Sequence, residues 1–202
     1  MKTKRFLFAA LVCLGVLALL AGCGGEEKNP KVKFEMANGD AFILELYPEY
    51  APDTVKNFVK LVEEGFYDGL TFHRVAPGFM AQGGGYGADS YLFSEGDKKP
   101  ADAVKGEFAD NKFTQNTLKH TRGVISRART NDPNSASSEF FIMYDSAPDL
   151  DGAYAAFGKV IEGMETVDKF LEVERYAGFA IDGNNATIPV EPIVIKKASK
   201  VK

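Results

Sequence analysis

The stretch 72-FHRVAPGFMAQGGG-85 decides how this 202-residue chain is read. Thr71 to Val75 mixes β-branched and aromatic residues in rough alternation, which predicts a strand. Pro77-Gly78 breaks the strand and forces a turn. Phe79 and Met80 then lead to Gln82 and three glycines. If the flanking strands pair, Arg74 and Gln82 lie beside an apolar surface. Taken alone, the fragment is an ordinary hairpin with Phe79 and Met80 in a core and Arg74 in water. The remainder of the chain decides against that reading.

Outward from this stretch, the two ends differ in kind. Lys2, Lys4 and Arg5 precede an uncharged, mostly apolar run from Phe6 to Leu20. That run is short of the ~20 residues a spanning helix needs and suits the central region of a secretory signal peptide. Leu20-Ala21-Gly22-Cys23 follows at once and resembles a bacterial lipobox, in which the Cys is lipidated and becomes the mature N-terminus. A lipid on Cys23 would anchor the protein to a membrane. The expected organisation is therefore a leader over 1–22, a lipidated N-terminus and polar tether over 23–30, and one domain over 31–202. Loss of Lys2, Lys4 and Arg5 would leave 21 basic residues against 28 acidic. That acidic balance argues against a nucleic-acid partner. Cys13 would leave with the leader and Cys23 would carry lipid, so the domain has no thiol for a disulfide or a Cys-based metal site.

Within the domain, Lys31 to Met36 and Ala41 to Leu46 alternate around Asn38-Gly39, a hairpin signal whose register the turn leaves open. Ala51 to Glu64 reads as a helix with Asp53 or Thr54 as cap and Val55, Phe58, Val59 and Val62 on its apolar face. Gly65 ends it. Lys105 to Phe108 reads as a short strand, as do Gly123 to Ala128, Glu139 to Tyr144, Ala156 to Ile161 and Pro189 to Ile195. Glu95 to Pro100 and Thr130 to Ser138 read as loops. Met164 to Val173 has helical spacing. Many short strands with only two helices predict an all-β barrel or sandwich.

Three segments then read together. They are Phe72-His73-Arg74-Val75 with Pro77-Gly78-Phe79-Met80-Ala81-Gln82-Gly83-Gly84; Gly123-Val124-Ile125-Ser126-Arg127-Ala128-Arg129 with Ser138-Glu139-Phe140-Phe141-Ile142; and Leu150-Asp151-Gly152 with Phe157-Gly158-Lys159-Val160. In this order they resemble the cyclophilin family of peptidyl-prolyl cis–trans isomerases, from about Lys31 to Ile195. The loop Asp132-Pro133-Asn134-Ser135-Ala136 resembles the bacterial branch. The resemblance implies a mainly β fold: a closed eight-stranded antiparallel barrel capped by two helices.

The implied chemistry needs no nucleophile, metal or cofactor. Rotation about an X–Pro bond is slow because amide resonance imposes a barrier of ~18–20 kcal/mol. A donor that localises the lone pair on the prolyl nitrogen lowers it. By resemblance Arg74 is that donor, and Phe79, Met80, Phe141 and Leu150 form the socket for the proline ring. Gln82 orients Arg74 and binds substrate backbone. Phe72 and Ala128 adjoin the groove, and Arg129 binds peptide mainly through its main chain. Glu139 stands where many members carry Gln, and an anion there either holds Arg74 more tightly or competes with substrate. Asp149 replaces a Trp common in animal members and tied to cyclosporin binding, so weak inhibitor binding is expected. Tyr154 replaces a His and supplies a hydroxyl that does not titrate near neutrality, so flat activity is expected from pH 6 to 8.

The bland readings are these. Phe140 and Phe141 point to opposite faces, so one of them is core. Tyr154 is a structural loop residue. His73 and His120 are packing or surface residues, too few for a zinc site without Cys. Gly83 to Gly87 lacks the Lys-Ser/Thr ending of a phosphate loop. No Ser-His-Asp arrangement has a convincing context. The leading functional reading is a monomeric, extracytoplasmic, lipid-anchored prolyl isomerase acting on proline-containing segments of unfolded or exported proteins. The competitors are a Pro-peptide-binding or chaperone module with little turnover, which Glu139 favours, and a structural envelope lipoprotein.

Overall fold

The computed structural model describes residues 29–90, 99, 101–176 and 187–201. The expected leader, Cys23 and most of the tether lie outside the described residues, as does the Glu95–Pro100 loop apart from Lys99.

Eight antiparallel strands close into a barrel: β1 (Lys31–Met36), β2 (Ala41–Leu46), β3 (Leu70–Ala76), β4 (Met80–Gly87), β5 (Val124–Arg127), β6 (Phe140–Met143), β7 (Ala156–Glu162) and β8 (Ile193–Lys200). Around the ring they run β1-β2-β7-β5-β6-β4-β3-β8. Alternation explains the first pair. Val32, Phe34 and Met36 of β1 and Phe42, Leu44 and Leu46 of β2 all turn inward. The Asn38-Gly39 turn sets Phe34 opposite Phe42, and their rings stack at 5.1 Å. Gly39 supplies the positive φ of that turn, +93°.

Helix α1 (Pro52–Glu63) plugs one end of the barrel. Its Phe58 is fully buried and meets Phe34, Tyr67, Phe140 and Phe157 at centroid distances of 5.1 to 6.3 Å. Leu61 is buried with Val55 and Val62, whereas Val59 is only half-buried, so the apolar face is rotated slightly from the expected one. Neither Asp53 nor Thr54 caps α1 with its side chain. The buried carboxylate of Glu107 does so instead, accepting from Asp53 N at 3.0 Å and Thr54 N at 2.8 Å. Helix α2 (Met164–Asp168) tightens into a 3₁₀ turn over Lys169–Glu172, and Phe170 packs on Phe72 at 4.8 Å.

Two expected strands are corrected. Lys105 to Phe108 is extended loop beside a single bridge, Val104 to Ala136. The last strand starts later and runs further than Pro189 to Ile195. Pro192 has no N–H to give a ladder, and the lysines of Lys196 to Lys200 hide an inward Ala198 that pairs with Phe34.

Candidate functional site

A row of directly paired residues crosses four adjacent strands. Arg74 on β3 faces Gln82 on β4, Gln82 faces Phe141 on β6, and Phe141 faces Ser126 on β5. Residues directly opposite in an antiparallel pair project to the same side, here the outside. The next residue along reverses: Phe140 pairs with Arg127 and both enter the barrel. The quoted hairpin supplies half of this row. It closes through Pro77-Gly78, with Gly78 at φ +71° and Phe79 N donating to Ala76 O at 3.1 Å.

Above the row lies a groove of about 170 Å³, lined by Arg74, Phe79, Met80, Gln82, Ala128, Arg129, Phe141, Leu150 and Tyr154. That is below the roughly 300–1,000 Å³ of drug-sized pockets and suits one ring or side chain. Its floor is an apolar cluster separate from the barrel interior, in which Met80, Phe141 and Met143 are buried and Phe79, Leu150 and Tyr154 pack against them. Phe141 meets Tyr154 edge to face at 5.8 Å. Met80 is 2% and Phe141 5% exposed, so each offers the groove an edge and anchors the rest below it.

Two sequence-selected residues stand elsewhere. Phe72 is fully buried in the barrel interior and does not line the groove. The register of β3 shifts between Phe72 and Arg74, so Phe72 and Val75, not Phe72 and Arg74, share the inner face. Glu139 is 8% exposed and lies behind the groove wall. Its Oε2 accepts from Gln82 Nε2 at 2.7 Å and stands 3.4 Å from His73 Nε2. The glycine run makes room for it: a Cβ on Gly85 would meet Glu139 Cγ at 2.7 Å. Gly84, at φ +86°, would drive a Cβ to within 2.9 Å of both Phe140 and Tyr67.

Arg129 contributes its side chain more than expected. Its Nε and Nη2 donate to Ala153 O at 3.1 and 3.0 Å. The guanidinium lies 4.5 Å from the Tyr154 ring centroid. It thereby fixes the loop and ring on the far wall of the groove.

Sequence reasoning missed a buried chain beneath Phe141. His120 Nδ1 lies 3.1 Å from Asp151 Oδ1, and its Nε2 lies 3.0 Å from Ser126 Oγ. The imidazole stacks on Phe141 at 6.1 Å and 19°. Burial pushes the His120 pKa down, partly opposed by the Asp151 carboxylate. Ser126 is fully buried, so this Ser-His-Asp chain offers no nucleophile. It ties the loop bearing Leu150 and Tyr154 to the strand under Phe141. Nothing in a single sequence joins these three, because their contact arises only when the loop folds back over β5. Among the described residues no three His, Cys, Asp or Glu side chains come together to hold a metal.

Residues 31–200 match the family model described as cyclophilin type peptidyl-prolyl cis-trans isomerase/CLD. The chain is 39% identical over 168 residues to a probable peptidyl-prolyl cis-trans isomerase of Brucella suis, covering 80% of this chain and 81% of that protein. It is 43% identical over 164 residues to peptidyl-prolyl cis-trans isomerase A of Dickeya dadantii, covering 79% and 78%. Among solved structures it resembles a cyclophilin type isomerase of Cryptosporidium parvum, with a TM-score of 0.66 and 26% identity over 86% of this chain and 98% of that one. The same Cryptosporidium protein solved in the presence of the dipeptide Ala-Pro gives a TM-score of 0.64 and 27% identity over 85% and 99%. Fold and sequence thus agree, and the chain belongs to the cyclophilin-type peptidyl-prolyl cis–trans isomerases.

Proposed function

We propose that this isomerase acts outside the cytoplasm, tethered by lipid on Cys23, and speeds the folding of exported proteins at their X–Pro bonds. The observation that carries the site assignment is the row Arg74–Gln82–Phe141, which sets one cation against one apolar socket. A proline ring fills the socket of Phe79, Met80, Phe141 and Leu150. Arg74 then donates near the prolyl nitrogen and carbonyl, localising the nitrogen lone pair and weakening the amide resonance that makes rotation slow. A guanidinium keeps its charge at any working pH and presents a rigid fork of donors. Held in a partly dry groove, it needs no reorganisation as the bond twists. Gln82 and Tyr154 orient the peptide backbone. The Ala-Pro dipeptide used with the Cryptosporidium protein is a fitting minimal ligand.

Glu139, the feature that favours the competing reading of a slow binding module, fits the enzymatic reading as well: its Oε2 accepts from Gln82 Nε2 at 2.7 Å. It acts as a positioning residue, fixing the amide that faces Arg74 across the strand pair.

A protease-coupled assay on an Ala-Pro peptide tests the chemistry. Arg74→Ala is expected to lower kcat/KM by about 10²–10³-fold, the usual cost of one preorganised charge-stabilising donor, with the fold intact. Turnover unaffected by that change would sink the assignment of Arg74. Fatty-acid labelling in cells tests the anchor: label on the wild type and none on Cys23→Ala is expected. An unlabelled wild type would defeat lipidation.

A further inference from the structure

The wall of the barrel opposite the groove carries a charge pattern that catalysis does not use. In the ring order, β1 and β8 are the strands farthest from β5 and β6. Lys31 and Lys33 alternate with the buried Val32 and Phe34, so they point outward from β1. Lys196, Lys197 and Lys200 are exposed on β8. Glu35 stands alone among them. Its carboxyl is held below its usual range by Lys33 first and by Lys196 and Lys197 after it. Across the hairpin Glu45 faces Lys31. Asp68 adds a third carboxylate at the edge of β8, its Oδ1 accepting from Ala198 N at 2.9 Å, and five lysines against three carboxylates still make this a basic face on a chain whose overall charge is −4. The patch continues past the barrel end, where Lys200 joins Pro30, Lys56 and Lys60 in a wide groove that also holds Asp53 and Glu63.

The tether enters at this face. Leu46 N donates to Pro30 O at 2.9 Å, which pins the start of the domain beside β2. Six residues lie between Cys23 and Pro30, and the seven residue steps at ~3.3–3.6 Å each reach at most about 25 Å. A domain on so short a leash, anchored next to its own lysines, keeps them near the lipid headgroups. Clustered lysines beside a membrane anchor attract anionic lipids, and the attraction falls off within a Debye length.

We propose that the outer face of β1 and β8 docks on anionic lipid headgroups, holding the proline groove away from the membrane and open to clients. This rests on the anchored reading above, but its chemistry is separable from it. The probe is the chain from residue 23 onward with Cys23→Ser, which carries no lipid yet keeps every strand and helix among the described residues, all within 31–200. It is sedimented with vesicles of phosphatidylcholine alone or with about one-third phosphatidylglycerol. At low salt, binding is expected to the anionic vesicles only and to be lost at high salt. The triple reversal Lys196→Glu, Lys197→Glu, Lys200→Glu is expected to cut partition at least about tenfold. Its turnover of an Ala-Pro peptide should match the parent, since none of the three touches the groove. Absence of binding to anionic vesicles, equal binding to neutral ones, or an undiminished triple variant would overturn the proposal. Cys23 acylation, read by labelling in cells, stands or falls independently.

Discussion

At the scale of single residues, the least legible feature is Arg127. It sits one position after the outward Ser126, so strand alternation turns it inward, yet an arginine in a barrel interior contradicts any reading by polarity. It is 1% exposed. Its Nη1 donates to Ser138 O at 3.1 Å, its Nη2 donates to Asn57 Oδ1, and its guanidinium lies 5.4 Å from the Phe58 ring and 5.5 Å from the Phe157 ring. None of these partners is a carboxylate. Desolvating a cation costs several kcal/mol, and neutral acceptors and ring faces offset this only in part. Methionine has the length to fill the same channel without the charge. The groups left behind keep partners, since Tyr67 Oη already donates to Ser138 O at 3.0 Å and Asn57 is half-buried on α1. Arg127→Met is therefore expected to raise the urea midpoint, by the equivalent of about 1 kcal/mol or more. Arg127→Ala opens a cavity and is expected to lower it by about 2–5 kcal/mol. A methionine variant less stable than wild type would show that the arginine is a net stabiliser.

At the scale of elements, periodicity found the helix and Gly65 marked its end, but what caps its start was not legible. The spacing Val55, Phe58, Val62 is visible in the sequence because it follows the 3.6-residue repeat. The cap was invisible because Glu107 lies 54 positions from Asp53. Its segment, expected as a strand, is loop for a related reason. Gly106 N and the Asn111 amide both bind Asn134 Oδ1, which leaves Glu107 free to turn under α1. The carboxylate, 3% exposed, accepts two of the first-turn N–H groups that have no partner within the helix and meets the positive end of its dipole. Glu107→Gln keeps one acceptor and the shape, and is expected to cost about 1–2 kcal/mol. Glu107→Ala leaves the buried Thr54 N and the more exposed Asp53 N without this acceptor and is expected to cost about 2–3 kcal/mol. Equilibrium unfolding reads both, and equal stability of wild type and Glu107→Ala would remove the cap from the account. Hairpins were the most legible elements, since Asn38-Gly39 and Pro77-Gly78 state their own turns. Register was not, and the shift in β3 turns Phe72 inward, away from the groove beside which the resemblance set it.

At the scale of the molecule, the sequence motifs marked the groove's parts but not the wall that carries them. Arg74, Gln82, Phe141 and Leu150 were legible because each sits in a dense run of distinctive residues. Their assembly depends on barrel closure, which brings β3, β4, β6 and β5 side by side from segments about 50 residues apart. The loop after β6 returns over that wall and is held there by Asp151, which accepts from both His120 N, at 2.8 Å, and the His120 ring. Burial of the His120 ring in this contact is expected to make the stability of the barrel depend on pH. Burial lowers the His120 pKa, with Lys119 adding to it and Asp151 opposing. The unfolded chain, near pKa ~6.5, then takes up a proton before the folded one. Stability from this group is complete above pH ~6.5 and declines below it, at up to about 1.4 kcal/mol per pH unit for one proton. Asp151 behaves in a later window. Desolvation acts to raise its pKa, but its bonds from His120 and Lys119 outweigh that and hold it low, so its contribution goes only as pH falls below ~3.9. The urea midpoint is expected to be level from pH 8 to 7, to fall once the pH drops below ~6.5, and to fall further below pH ~3.9. His120→Gln keeps a donor toward Asp151 and does not titrate. It should be less stable at pH 7 yet lack the fall that begins at pH ~6.5, with the lower fall retained. An undiminished fall from pH ~6.5 in that variant would place the acid sensitivity elsewhere in the barrel.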